Sequence, residues 1–172
     1  MDLLEAIRTR RSIRKYKSTP IPEEILMNVF KAVRLSPSAK NVQPWKFILV
    51  RDEEKKRQLI QACNNQKFIA EAPIIIVACA HSDEAFAVMG GYMSSFPVDL
   101  AVALDHLMLT ATTYGLGTCW IGSFKEDKVK EVLDIPAHVR VVALTPLGYP
   151  NETPSASGRK PLGEIICYDK YP

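Results

Sequence analysis

The run Pro73-Ile74-Ile75-Ile76-Val77-Ala78-Cys79-Ala80 limits what this chain can fold into more than any other stretch. Its residues are apolar without alternation and rich in β-branched side chains. That pattern reads as a strand buried on both faces, not on one. It is also the longest apolar run in the sequence and far too short to span a bilayer. A strand with no polar face has to be covered from both sides, so helices should flank a central sheet.

The flanking segments supply them. Residues 2–10 read as a short helix carrying Leu3, Leu4 and Ile7 on one face, and Ser12 to Tyr16 as extended chain. Thr19-Pro20-Ile21-Pro22-Glu23-Glu24 is a helix start, with proline in the first turn and acids beside the positive end of the dipole. The helix it opens carries Ile25, Leu26, Val29, Phe30 and Val33 in a stripe and should stop before Pro37. Trp45 to Val50 reads as a strand and 52–62 as a charged helix. Residues 81–95 show no clear period, and Gly90-Gly91 marks a break. Residues 97–114 form the longest helix, apolar on most sides, which places it centrally or at a subunit interface. Gly115-Leu116-Gly117 ends it. Thr118 to Ile121 is expected as a strand, 125–133 as a helix and 139–147 as a strand. The tail from Pro150 is loop-rich. The irregular spacing of these elements points to α/β or α+β.

Bulk properties exclude little but are consistent with this. A chain of 172 residues, 47% hydrophobic and 24% charged, suits one globular domain over 1–172. A net charge of +3 is too small to argue for nucleic acid or membrane. Met1-Asp2-Leu3-Leu4-Glu5 opens with acid, unlike a signal peptide, so a cytoplasmic protein is expected. The four cysteines, Cys63, Cys79, Cys119 and Cys167, form no CxxC pair and are expected as reduced, mostly buried thiols. No metal site is expected, since no histidine stands at ligand spacing from them.

Four stretches carry chemistry. Arg10-Arg11-Ser12-Ile13-Arg14-Lys15 follows the first helix. Guanidinium groups grip phosphate bidentately and serine adds a donor, although such a run also complements a helix C-terminus. Arg159-Lys160-Pro161-Leu162 is a second basic loop that could complete an anion site if the two meet. Gly115-Leu116-Gly117-Thr118-Cys119-Trp120-Ile121-Gly122 contains a GxG, yet Trp120 stands where a dinucleotide fingerprint needs glycine. The glycines also follow a helix and precede a strand, the reverse of that fingerprint. A helix cap explains them, and the backbone at Ile121-Gly122 stays open to a planar ligand. Pro37-Ser38-Ala39-Lys40-Asn41-Val42-Gln43-Pro44-Trp45 is a loop of small and amide side chains suited to a polar heteroaromatic edge. His81, His106 and His138 are scattered and form no triad or HExxH, and His106 on the apolar helix reads as a satisfied core residue.

In order and spacing these four stretches, with Gly163-Glu164 extending the last, resemble the nitroreductase family of FMN enzymes across nearly the whole chain. The resemblance implies an α+β fold with a central, mostly antiparallel sheet flanked by helices. It implies a homodimer that exchanges C-terminal segments, here Glu164 to Tyr168, with FMN at the interface. Arg10, Arg11, Ser12 and Arg159 would serve the phosphate and ribityl side, with Arg14 and Asn65 at the pyrimidine edge. Pro37, Ser38, Ala39 and Asn41 would come from the other subunit, and the backbone at Ile121 and Gly122 would meet the ring. The family often has a cation where this chain has Ser157 and a lysine where it has Phe68, so fewer positive charges would face the cofactor. The chemistry would lie on the flavin, with no catalytic side chain: NADH or NADPH reduces it and a nitroaromatic, quinone or other small acceptor reoxidises it, in ping-pong order. Reductive dehalogenation, dehydrogenation or flavin cleavage would use the same motifs under a different lid, here 81–97. A non-catalytic basic module binding nucleic acid through residues 8–17 is the remaining alternative.

Overall fold

The computed structural model describes residues 1–171. In chain order these form α1 (Leu3–Thr9), α2 (Glu23–Arg34), β1 (Trp45–Val50), α3 (Glu53–Ala62), β2 (Ile74–His81), α4 (Phe96–Thr113), β3 (Gly117–Thr118), α5 (Glu126–Leu133) and β4 (Val139–Gly148). Short 3-10 turns lie at Ala39–Asn41, Lys67–Ala70 and Leu162–Glu164.

The strands form one antiparallel sheet in the order β1-β2-β4-β3. Its inner strand β2 is the apolar run, and the residues Ile75 to Ala78 are wholly inaccessible. Period-two alternation divides its side chains between two layers. Ile74, Ile76, Ala78 and Ala80 pack with Leu26, Val29 and Val33 of α2 and Leu100, Leu104 and Leu107 of α4. Ile75, Val77 and Cys79 pack with Leu59 of α3 and Val129 of α5. Between Ala78 and Cys79 the register against β4 shifts, because Ala78 faces Ala143 while Cys79 faces Val141. Val142 is the extra residue of this bulge. The α+β architecture with flanking helices therefore follows from the double burial of β2.

Local signals account for the helix ends. The Asp2 carboxylate accepts the Glu5 amide of α1 at 2.8 Å, and Asp52 does the same for Lys55 of α3 at 2.8 Å. Helix α2 has Glu23 and Glu24 in its first turn and Lys31 and Arg34 in its last, matching the dipole. Gly115 closes α4 at φ +71°, the left-handed cap that glycine adopts without strain. At Gly117 an added Cβ would stand 2.6 Å from the Ile13 side chain. Only glycine lets the 12–16 segment lie directly against β3.

One expectation needs correction. The strand anticipated over 118–121 is only Gly117–Thr118, followed by an isolated bridge from Ile121 to Leu144. The expectation of mostly buried thiols agrees with the structure: Cys63, Cys79 and Cys119 are buried, Cys167 is exposed, and all four are free. The extended segment 12–16 is present and bridges twice, Ser12 to Thr118 in parallel and Tyr16 to Pro150 in antiparallel sense. On α1 only Ala6 is buried, and Leu3, Leu4 and Ile7 are at least half exposed. No helix among the described residues is long and apolar enough to cross a membrane.

Candidate functional site

The two basic stretches meet. Arg10, Arg11, Ser12 and Arg14 line one cleft of about 220 Å³ together with Pro154, Ser155, Ser157 and Arg159. The first group is placed by the end of α1 and the edge segment, where the Ile13 amide donates to Thr118 O at 2.9 Å. The second is placed because the chain leaving β4 runs back beside that segment, with the Asn151 amide donating to Lys15 O at 2.9 Å. Arg11 is held differently from its neighbours. Its Nη1 donates to the carbonyls of Arg8 at 2.7 Å and Arg10 at 2.8 Å, so it closes the C-terminus of α1 and adds only field to the cleft. Among the described residues the guanidinium groups of Arg10 and Arg14 have no acceptor within bonding distance. Arg159 bonds only the carbonyls of Ser157 and Gly158.

Behind the cleft lies a buried polar group. Burial pushes the Cys119 thiol up, and Arg14, the Ser12 hydroxyl and Arg10 pull it partly back. The same three cleft residues therefore act on the thiol at the end of β3. Tyr16 is buried and raised for the same first reason, with Cys119 and Glu152 adding to it; its hydroxyl donates to Ile13 O at 2.7 Å. Both groups stay neutral and serve as structure. The Glu152 carboxylate accepts the Arg14 amide and so ties the extended segment at Arg14 to the chain leaving β4.

A second cluster forms where α3 ends. Asn64 and Asn65 both adopt left-handed backbone, at φ +54° and +62°, which asparagine tolerates better than most residues. Asn64 Nδ2 donates to Ser123 Oγ at 2.9 Å, and Gln66 Nε2 donates to Ser123 O at 3.0 Å. The turn at Asn65 is thereby tied to the residue after Gly122, and none of Asn65, Ile121 and Gly122 lines the cationic cleft. Ile121 is not available to a ligand: its side chain is buried, and both its amide and carbonyl pair with Leu144, at 2.8 and 3.1 Å. Gly122 is exposed. Phe68 packs against Ile13, Tyr16 and Ala72, so the position expected to carry a cation is occupied by a core contact.

The loop 37–41 stands apart. None of Pro37, Ser38, Ala39 and Asn41 lines the cationic cleft. Lys40, Asn41 and Gln43 are left-handed at φ +53°, +56° and +56°. The Ala39 amide donates to Asp99 Oδ1 at 2.9 Å, and the Gln43 amide to Ser38 Oγ at 2.9 Å. Between the end of β2 and the start of α4, residues 82–95 of the segment 81–97 run through turns, with a Met89–Met93 bridge around Gly90 and Gly91. From Ser155 on, every described residue of the tail is exposed, including Leu162, Ile165, Ile166 and Tyr168. His106 is satisfied by its own helix, Nδ1 lying 3.0 Å from Val102 O. No cluster of three metal-ligating side chains occurs among the described residues. Ser155, Glu152, Gln66 and Ser123 had not been anticipated. Only Ser155 had a readable cue, the small polar residues just before Arg159.

The nitroreductase family model matches residues 7–67 and 60–149. An NADH dehydrogenase of Thermus thermophilus is 33% identical, over 98% of this chain and 96% of its own length. A nitroreductase family protein of Clostridium novyi superposes with a TM-score of 0.82 at 37% identity, covering 91% of this chain and 89% of its own. The NADPH:FMN oxidoreductase of Vibrio harveyi, solved in complex with NAD+, superposes with a TM-score of 0.88 at 26% identity, over 99% of this chain and 78% of its own. Sequence match and three-dimensional match agree over the same residues, and this chain belongs to the nitroreductase family.

Proposed function

We propose that the protein is an FMN-dependent NAD(P)H oxidoreductase that acts as a homodimer, with one FMN-binding domain per chain. The observation that carries this reading is the meeting of Arg10, Ser12 and Arg14 with Ser157 and Arg159 in one cleft. The Arg10 and Arg14 guanidinium groups, which bond no acceptor among the described residues, and the Arg159 group, which bonds only two adjacent carbonyls, lie beside serine hydroxyls and match a phosphate dianion. The strand geometry suits the rest of the cofactor. Ser12 bridges to Thr118, and Gly122 lies four residues further on, at most roughly 13 Å away.

Bound FMN would supply the hydride chemistry, with NADH or NADPH as donor and a nitroaromatic or quinone as acceptor in a ping-pong cycle. Arg10, Ser12 and Arg159 hold the phosphate, with Arg11 adding positive field. Arg14 and Asn65 face the pyrimidine edge, where the Arg14 charge favours added negative charge. The exposed Gly122 backbone meets the ring, while Ile121 serves by pinning Gly122 to β4. Pro37, Ser38, Ala39 and Asn41 would complete the site from the second subunit. The exposed apolar tail reaches across the same interface.

Purified protein is expected to be yellow, to release FMN on denaturation and to bleach with NADH or NADPH. Arg159→Ala should weaken FMN binding by about thirtyfold, the loss of a charge-assisted contact, as measured by flavin fluorescence quenching. Protein that stays colourless after incubation with FMN, or an Arg159→Ala variant with unaltered affinity, would rule this assignment out.

A further inference from the structure

We propose that Asp99 is a positioning residue that couples the flavin loop 36–44 to the segment 81–97, so that occupancy at the loop sets the order of the segment. This rests on the proposed role of Pro37, Ser38, Ala39 and Asn41 against FMN.

The contacts form a closed circuit. Asp99, in the first turn of α4, is 4% exposed. Its Oδ1 accepts the Ala39 amide at 2.9 Å, and its Oδ2 accepts the Ser95 hydroxyl at 2.7 Å. The same Ser95 oxygen accepts the Phe86 amide at 3.2 Å, and the Ser95 amide donates to Phe86 O at 2.8 Å. Phe86 and Ser95 are thus the paired base of the loop that turns at Gly90-Gly91. Lys40 closes the ring, its Nζ lying 4.5 Å from the centroid of Phe86, a cation–π distance.

Helix capping alone does not account for Asp99. An acid in the first turn favours the dipole, but neither oxygen accepts an amide of α4 itself. Oδ1 reaches out to the loop at Ala39, and Oδ2 holds the hydroxyl of Ser95, the N-cap residue through which segment 81–97 enters α4. A buried carboxylate with both oxygens bonded has little freedom, because displacing either partner leaves charge unsatisfied. Motion of Ala39 toward or away from a ligand is therefore carried to Ser95 and Phe86. The buried side-chain oxygens left without partners, Ser36 Oγ and Ser94 Oγ, fall one on each coupled segment.

Hydrogen exchange on the full-length protein, with and without FMN, reads the coupling independently of turnover. In wild type, FMN should slow exchange of the amides between Phe86 and Ser95 by about tenfold or more, the worth of one charge-assisted bond. In Ser95→Ala that slowing should vanish while FMN still binds, and Ser95→Thr, which keeps the hydroxyl, should restore it. Lys40→Met, at an exposed position that leaves the core untouched, should reduce the slowing in part, and this variant carries the test if Ser95→Ala is unstable. Wild-type protein that binds FMN without any change in these amides overturns the coupling and leaves the flavin assignment standing. Full slowing in both Ser95→Ala and Lys40→Met also overturns it. Protein that binds no FMN refutes both.

Discussion

Strand β2 and the tail beyond Pro161 are both rich in apolar side chains, and the structure treats them in opposite ways. Ile75, Ile76 and Val77 are wholly buried within the subunit. Leu162, Ile165, Ile166 and Tyr168 are 46% to 83% exposed. Burial of a side chain of this size is worth about 1.5–3 kcal/mol, so the tail leaves unrealised the kind of stabilisation that β2 already has. Leu3, Leu4 and Ile7 of α1 are exposed in the same way. Exposed apolar side chains on the tail and on α1 are what the proposed homodimer would cover, whereas β2 completes the core of one subunit.

Substitutions in the two regions should separate these roles. Ile76→Ala should cost about 4 kcal/mol in denaturant unfolding through the cavity it leaves, with the same loss at low and high protein concentration. A loss that grows on dilution would mean that β2 stability depends on association. Next in size is acid. Burial opposes charge on Glu126, but Arg140 at 2.9 Å and the Val141 amide at 2.9 Å hold its carboxyl at about 2, from an ordinary 4.5. Because folding lowers this pKa, the stabilisation is present above 4.5 and lost as pH falls toward 2. After discounting for partial exposure it amounts to about 2 kcal/mol. Glu126→Gln should remove that acid-sensitive part of the body's stability, and an unchanged pH profile would show that the α5–β4 tie carries none of it. The smallest effect belongs to the tail. Ile166→Ser should leave the subunit's circular dichroism unaltered while weakening self-association about tenfold, near 1.4 kcal/mol, as followed by sedimentation. Equal loss of fold in Ile166→Ser and Ile76→Ala would erase the distinction between core and tail.

Much of the scaffold was legible because its signals are local. The helix of Glu23–Arg34 is written in its prolines, acids and apolar stripe, and β2 in its unbroken apolar run. The strand beyond Gly117 was overextended for a physical reason. Thr118 to Ile121 has strand-like composition, but β4 pairs with it only at both ends, and propensity does not report where a partner is. Arg11 shows the same limit. Alone it is indistinguishable from Arg10, and only the closeness of the Arg8 and Arg10 carbonyls shows that it caps a helix. At Phe68, the missing cation is explained by a core contact that no spacing rule encodes.

The sequence by itself determined the element types, the double burial of the central strand, the failure of a dinucleotide fingerprint, and the ordered motifs that resemble nitroreductases. Each depends on residue chemistry within a few positions. Only the tertiary structure decided that Arg10 and Arg159 share a cleft, that Gly122 and not Ile121 is open, and that Asp99 ties Ala39 to Ser95. Those depend on chain segments far apart in sequence being held together by packing, and long-range contacts of that kind leave no trace in local pattern.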